Sequence, residues 1–298
     1  MIRQSSFQTT LRRPCHIHGV GIHSGERTQI TLLPAAPNTG IVFRLREGGR
    51  HVEIPARAEF ITRTTMNTTL GRGGLEICTV EHLLAALSGL EIDNVVIVTD
   101  GCEIPGMDGS AQPFVTRIME AGRKLQPVPR RFLKLLEPVQ LEENGRYAGI
   151  FPSDDRNFSF TIDFNHPAIQ TQTFAVTLTP QAFVAELARA RTFGFMEDLE
   201  NLQENGLALG AGLDNAVGLT KTGQVLNEEG LRYPDEFVRH KLLDAVGDLS
   251  LAGFPLLAEF KGIKSGHALH GKLIQTLLRR PETWQIVSFG ASEGAQAV

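Results

Sequence analysis

Within DEFVRHKLLDAVGDLS, His240 and Asp244 stand four residues apart and Asp248 four further on. On a helix this spacing puts all three side chains on one face, one turn above the next. Leu242, Leu243, Val246 and Leu249 fill the other faces. A polar row in such apolar company is costly unless something pairs with it. A metal ion would do so; an exposed stripe on an amphipathic helix fits the same spacing. A second group is Glu81-His82, near the start of another helical stretch. His82 could be a ligand, and Glu81, turned by about 100°, has a side chain long enough to reach water beside the same ion. Zinc hydrolases use three protein ligands, an open position and a carboxylate that takes a proton. His82, His240, Asp244 and Glu81 would supply that set. The plain alternative is a helix-start Glu in a favourable dipole beside a core-edge His. The third group is KSGHALH, where His267 follows Lys264-Ser265-Gly266. It could protonate a leaving amine, with Asp248 keeping it charged; a helix-terminal histidine without chemistry fits equally.

The remaining histidines read more plainly. His270 is expected to be structural. His16, His18 and His23, in PCHIHGVGIHSG, fit strands with a glycine turn, and His51 and His166 fit surface or turn positions.

The elements that must position these residues follow from hydrophobic period. Short strand-like runs at 27–33, 41–45 and 64–70 are broken by Pro34, Pro37, Gly40 and Gly48–Gly49. Arg72-Gly73-Gly74 reads as a hairpin turn, because no Lys-Ser/Thr follows to make a phosphate loop. Val80, Leu83, Leu84, Leu87 and Leu90 then recur at helical spacing over 79–90, with Thr79 as expected N-cap. A buried strand at 94–98 and a helix at 111–121 close the first half. The second half predicts strands at 132–136, 147–151, 158–164 and 171–178, a helix at 180–189, a long helix at 235–251, a strand at 256–261 and a helix at 267–279. Both halves run strands first, then helix–strand–helix, which suggests duplication of an α+β unit. The expected division is a first domain at 1–122, a charged, proline-containing linker at 123–131, and a second domain at 132–298. Extra material at about 192–222, a short helix, a Gly-rich loop and a strand, reads as a functional insert.

Composition excludes several classes. With 298 residues, 42% hydrophobic and 21% charged, the chain is an ordinary globular one. A net charge of −4 gives no footprint for nucleic acid. The pairs Arg12–Arg13, Arg130–Arg131 and Arg279–Arg280 read as solvated surface. Three cysteines without a CxxC argue against a disulfide framework or a thiolate zinc cluster, and all three are expected to be buried. No run approaches a membrane span or a signal peptide, so a cytoplasmic protein is expected, not an integral membrane one. ASEGAQAV at the C-terminus has the composition of a disordered tail.

Taken together, TVEHLLAAL, EIPGMDGSA, TIDFNHPAI, RARTFGFM, VLNEEGLRYPDEFVRHKLLDAVGDL and KSGHAL, with GVGIHSG and PNTGIVFR before them, resemble the zinc-dependent UDP-3-O-acyl-N-acetylglucosamine deacetylases. The resemblance runs over nearly the whole chain in the family's order. It implies the committed step of lipid A synthesis, hydrolysis of the acetamide to a free amine and acetate. The implied fold is two similar α+β sandwiches, each with an insert and the active site between them. The implied metal ligands are His82, His240 and Asp244, holding one Zn2+ per chain, with Fe2+ as the alternative in the cell. Glu81 falls on the general base, His267 on the general acid with Asp248 beside it, Thr192 on an oxyanion-stabilising threonine and Lys241 on a substrate contact. Leu199, Leu202, Ala208 and Val217 would line the acyl passage. Phe193 would lie near the sugar, and Phe164, Asp163 and Lys264 near the nucleotide of the UDP-linked acylated amino sugar. Thr68 departs from the cysteine that many members carry and is expected to stand clear of the catalytic set. A monomer is expected. Two rival readings stand beside this one: a metallohydrolase of another amide or ester, and a binding protein that keeps only a vestigial site.

Overall fold

The computed structural model describes residues 6–47 and 50–289; Gly48–Gly49 and ASEGAQAV lie outside them. The first half contains β1 (Phe7–Leu11), β2 (Cys15–Val20), β3 (Arg27–Pro34), β4 (Ile41–Glu47), β5 (Arg50–Pro55), β6 (Ile61–Arg63), β7 (Thr69–Arg72), β8 (Leu75–Ile77), α1 (Glu81–Gly89), β9 (Val95–Thr99) and α2 (Gln112–Ala121). Then come β10 (Arg123–Pro129), β11 (Arg131–Leu135), β12 (Val139–Glu143), β13 (Arg146–Pro152), β14 (Arg156–Phe164) and β15 (Gln170–Thr177). A short α3 (Pro180–Ala182), begun by the Thr179 cap, runs into a π-helical turn at Phe183–Leu187. β16 (Phe193–Phe195), α4 (Met196–Glu204) and β17 (Val217–Leu219) form the insert, followed by α5 (Glu236–Leu249), β18 (Leu256–Ile263), α6 (His267–Leu278) and β19 (Trp284–Ser288).

Alternation shapes the strands. Along β3, Thr28, Ile30 and Leu32 point inward while Arg27 and Gln29 face solvent, the period of a half-buried strand. The two halves repeat one topology. The first sheet runs β2-β3-β9-β4-β5, with β9 antiparallel to β3 and parallel to β4. In the second, β12, β13, β18, β14 and β15 follow the same order and the same directions, with β11 and β19 added on the flank of β18. In each half a helix, α1 or α5, comes directly before the central strand. The parallel pairing of that strand requires such a crossover.

α1 and α5 pack against each other between the sheets. Twelve residues of α5 are buried, and α1 is buried except at Ser88. A helix enclosed all round must satisfy its polar groups within the protein. The approach is close: a Cβ on Gly247 would stand 2.1 Å from the carbonyl oxygen of Glu81. Glycine at this point lets α5 lie against the first turn of α1.

Several expectations need correction. The run at 64–70 is not one strand, because β6 ends at Arg63, Met66 turns at φ 64° and β7 begins at Thr69. Thr79 does not cap α1. It sits at φ 58° and donates its hydroxyl to Glu103, leaving Val80 at the cap. The proline-containing segment after α2 is a strand, β10, paired antiparallel with β1. Arg130 is no solvated side chain; it is 2% exposed and lies against Glu91 and Asp93. Of the cysteines only Cys15 is buried, with Cys78 half-buried and Cys102 exposed. No helix among the described residues is long and apolar enough to cross a membrane.

Candidate active site

The seam of α1 and α5 brings together what the sequence separates. His82 leaves the first turn of α1, while His240 and Asp244 rise one turn apart on α5. Their ligand atoms all lie within 4.8 Å of one another and all three residues are buried. Asp244 Oδ1 is 3.4 Å from His82 Nε2 and 3.3 Å from His240 Nε2, yet has no hydrogen-bond partner among the described residues. A buried carboxylate oxygen without a donor is costly, and two imidazole nitrogens with an oxygen make a donor set suited to zinc or iron. The residues therefore fit a metal ion. His240 Nδ1 lies 3.0 Å from the Ala190 carbonyl, so it carries the proton and Nε2 is left as the ligating atom. Burial pushes the His240 imidazolium down to about 3 despite Asp244 beside it, which keeps the ring neutral. Burial opposes ionisation of Asp244, but His240 and Lys241 outweigh it and hold the carboxyl well below its usual range. Lys241 Nζ donates to Asp244 Oδ2 at 2.9 Å.

Beside this set stand a buried carboxylate, Glu81, and a buried imidazole, His267. Burial raises Glu81 above the usual carboxylate range, against the pull of His267 and His82. His267 Nε2 is 4.0 Å from Glu81 Oε1. On the other side of the ring, His267 Nδ1 donates to Asp248 Oδ2 at 2.8 Å. Burial disfavours the imidazolium, but Asp248 more than compensates and lifts His267 to about 9. Asp248 itself is held far below its usual range, since His267 and His270 overcome its burial.

The surrounding network was only partly foreseen. His270 Nδ1 also donates to Asp248 Oδ2 at 2.8 Å, and its Nε2 meets the Ser265 hydroxyl at 2.9 Å. Thr68 does not stand clear of the catalytic set. Its amide donates to Glu81 Oε2 at 3.1 Å and its hydroxyl to Asp248 Oδ1 at 2.6 Å. One residue thus holds both Glu81 and the carboxylate behind His267. Glu103, 1% exposed, accepts from the His23 and Ser24 amides and from Thr79, and so fixes the entry to α1. His23 faces the cavity, although the sequence read it as a turn residue. Burial lowers its pKa, against the pull of Glu103. The signal that could have singled it out, a histidine in GVGIHSG, is local and ambiguous.

A cavity of about 320 Å3 opens over these groups. Thr192 and Phe193 line it together with Lys241, and so do all four expected passage residues, Leu199, Leu202, Ala208 and Val217. Thr192 is pinned between the halves, its amide donating to Gly109 and its carbonyl accepting from Val217. Gly109 at φ 81° is required there, since a Cβ would meet the Asn215 carbonyl oxygen at 2.1 Å. Behind Thr192, buried Arg191 donates to Glu236 Oε1, and Arg232 bridges to Asp108. Phe164, Asp163 and Lys264 do not line this cavity. Phe164 packs on Phe193 and Phe195, while Lys264 and Asp163 form an exposed pair at 2.5 Å.

The family profile described as UDP-3-O-acyl N-acetylglycosamine deacetylase matches residues 8–279. The chain is 48% identical to the UDP-3-O-acyl-N-acetylglucosamine deacetylase of Pseudomonas entomophila (strain L48), over 97% of this chain and 94% of that one. It is 47% identical to the protein of that name from Chromohalobacter salexigens, over 97% and 94%, and 46% identical to the one from Histophilus somni (strain 129Pt), over 96% and 94%. With a match across this span, and with a histidine–aspartate triad and a buried glutamate on the α1–α5 seam and a buried histidine of α6 beside them, the chain belongs to the UDP-3-O-acyl-N-acetylglucosamine deacetylase family.

Proposed function

We propose that the chain hydrolyses the acetamide of UDP-3-O-acyl-N-acetylglucosamine to the free amine and acetate, the committed step of lipid A synthesis, with His82, His240 and Asp244 holding one Zn2+ or Fe2+. A divalent ion there supplies Lewis acidity and lowers the pKa of water toward neutrality. Glu81, its Oε2 held by the Thr68 amide, takes the proton of the attacking water with Oε1. The Thr192 hydroxyl donates to the oxyanion that develops on the acetamide carbonyl. His267, kept protonated by Asp248, gives its proton to the departing nitrogen, because an amide nitrogen leaves only as the neutral amine. Leu199, Leu202, Ala208 and Val217 receive the acyl chain. Lys241 and Phe193 contact the sugar side, and Phe164, Asp163 and Lys264 the nucleotide end. The division into domains at 1–122 and 132–298 belongs to the same reading, as does a monomer working in the cytoplasm; limited proteolysis, light scattering and cell fractionation test these.

The observation that carries the proposal is the pair Glu81 and His267, 4.0 Å apart beside three convergent ligand atoms. The experiment is elemental analysis together with acetate release, on wild type and His240→Ala. We expect about one zinc or iron per chain in the wild type, with metal and activity lost together in the variant. Metal without acetate release would leave a metallohydrolase of another substrate. A folded wild type with neither would leave a binding protein.

A further inference from the structure

Among the described residues, four buried side-chain atoms have no hydrogen-bond partner. Two of them, His82 Nδ1 and Asp244 Oδ1, belong to the metal triad. The other two, Arg130 Nη1 and Arg156 Nε, lie together elsewhere, at a second cavity of about 130 Å3. It opens where both halves of the chain meet, at the C-terminal ends of α1 and α5, reached through Ser88 and Leu249. A single water needs roughly 10–15 Å3 of such space, so an ion of phosphate size fits.

The charge here does not cancel. Arg57, Arg130, Arg131 and Arg156 line the cavity, against one lining carboxylate, Asp93. A second carboxylate, Glu91, lies behind Arg130 at 2.9 Å, within ion-pair distance but outside hydrogen-bond geometry. The ends of α1 and α5 contribute about half a negative charge each, which leaves an excess near one positive charge. Arg156 is the sharpest case. It is 3% exposed, donates only to the Ser88 carbonyl and hydroxyl, and has no ion pair among the described residues. Burial and neighbouring Arg130 pull it down to about 10, against the pull of Glu91 and Asp93, so it stays cationic at neutral pH. A buried guanidinium without a carboxylate is costly unless an anion joins it. Arg57 and Arg131 are exposed on the solvent side and flank Phe254, with guanidinium carbons 6.0 and 5.1 Å from its ring centre.

We infer that this cavity is a binding site for a small oxyanion of the phosphate class, held between Arg57 and Arg131 at the mouth and Arg130 and Arg156 within. Guanidinium forks match such an ion geometrically. The ion would brace the far ends of the two helices whose other turns carry the metal triad.

The test titrates inorganic phosphate into the metal-loaded full chain by calorimetry at constant ionic strength, for wild type and for Arg57→Ala/Arg131→Ala. Both side chains are exposed, so the double variant should fold, and circular dichroism checks this. Saturable binding that weakens by roughly tenfold or more in the variant is expected. Uridine monophosphate, run in parallel, tells a free ion from a phosphate carried on a larger molecule; either one weakened by the variant supports the site. Crystals soaked in tungstate locate the ion independently by its anomalous signal. Signal beside Arg156 supports the inference. Equal binding by both proteins, no saturable binding, or signal confined to the larger cavity overturns it.

Discussion

The α1–α5 seam and the insert face one cavity on opposite terms. On the seam Glu81, Asp244 and Asp248, and on the adjoining α6 His267 and His270, are buried, and most of their polar atoms are held by a partner. On the insert, α4 has no buried residue, and Leu199 and Leu202 are only half-buried. β16 and β17 form a two-stranded ribbon of three residues each. Chemistry demands groups fixed to a fraction of an ångström, whereas an aliphatic chain is recognised by area alone. A thin, apolar wall can therefore vary while the seam stays constant. On the proposed reading, the insert sets which acyl chain fits and the helices set whether the reaction occurs.

The contrast can be broken most forcefully at Glu81. Glu81→Gln keeps the side-chain size but cannot take a proton, so kcat should fall by about 10²–10⁴ while metal content stays near wild type. Near-normal turnover by a metal-loaded variant would remove Glu81 as the base. Gly247→Ala should come next. Its Cβ would meet the Glu81 carbonyl oxygen at 2.1 Å, and relieving that contact parts the helices. We expect a loss of about 1–3 kcal/mol in stability, with activity down by as much as about 10² as the base is displaced. An unchanged melting temperature would show that the seam yields freely.

As the proposed base and acid, Glu81 and His267 should set opposite limbs of the pH profile. Glu81 must lose its proton, and burial raises it, so kcat/KM should climb with pH to beyond the ordinary carboxylate range. His267 must keep its proton, and it titrates at about 9, so kcat/KM should fall as pH rises toward that value. A cation held by the triad would lower that limb by repulsion. His267→Gln should lose about 10²–10⁴ of activity at neutral pH, and the high-pH limb should vanish with it. A limb that survives the substitution belongs to another group. The smallest effect is expected from the insert. Leu202→Ala should weaken kcat/KM about fivefold for a long-acyl substrate, as lost apolar contact predicts. Turnover of a short-acyl analogue should be unchanged. Equal losses on both would mean that the insert also positions the reacting atoms.

Much of this was legible beforehand, for stated reasons. His240, Asp244 and Asp248 could be placed on one face because helical period is local. The order of elements in each half announced the repeated topology. What failed were features that depend on neighbours remote in sequence. Thr79 resembles an N-cap until Glu103 takes its hydroxyl. Arg130 resembles surface until β10 and β11 carry it beneath Glu91 and Asp93. Thr68 gives no local hint that it holds Glu81 and Asp248 together.

The sequence by itself determined which side chains can bind a metal and move protons, and at what pitch they stand along their own helices. Only the tertiary structure decided that His82 meets His240 and Asp244, because that meeting depends on how closely two enclosed helices approach. That distance is set by the absence of a side chain at Gly247 and by the sheets on either side. Likewise, Arg156 became a buried charge with no ion pair among the described residues through packing alone. The pairing of ionisable groups is a property of the space around them, which no local pattern encodes.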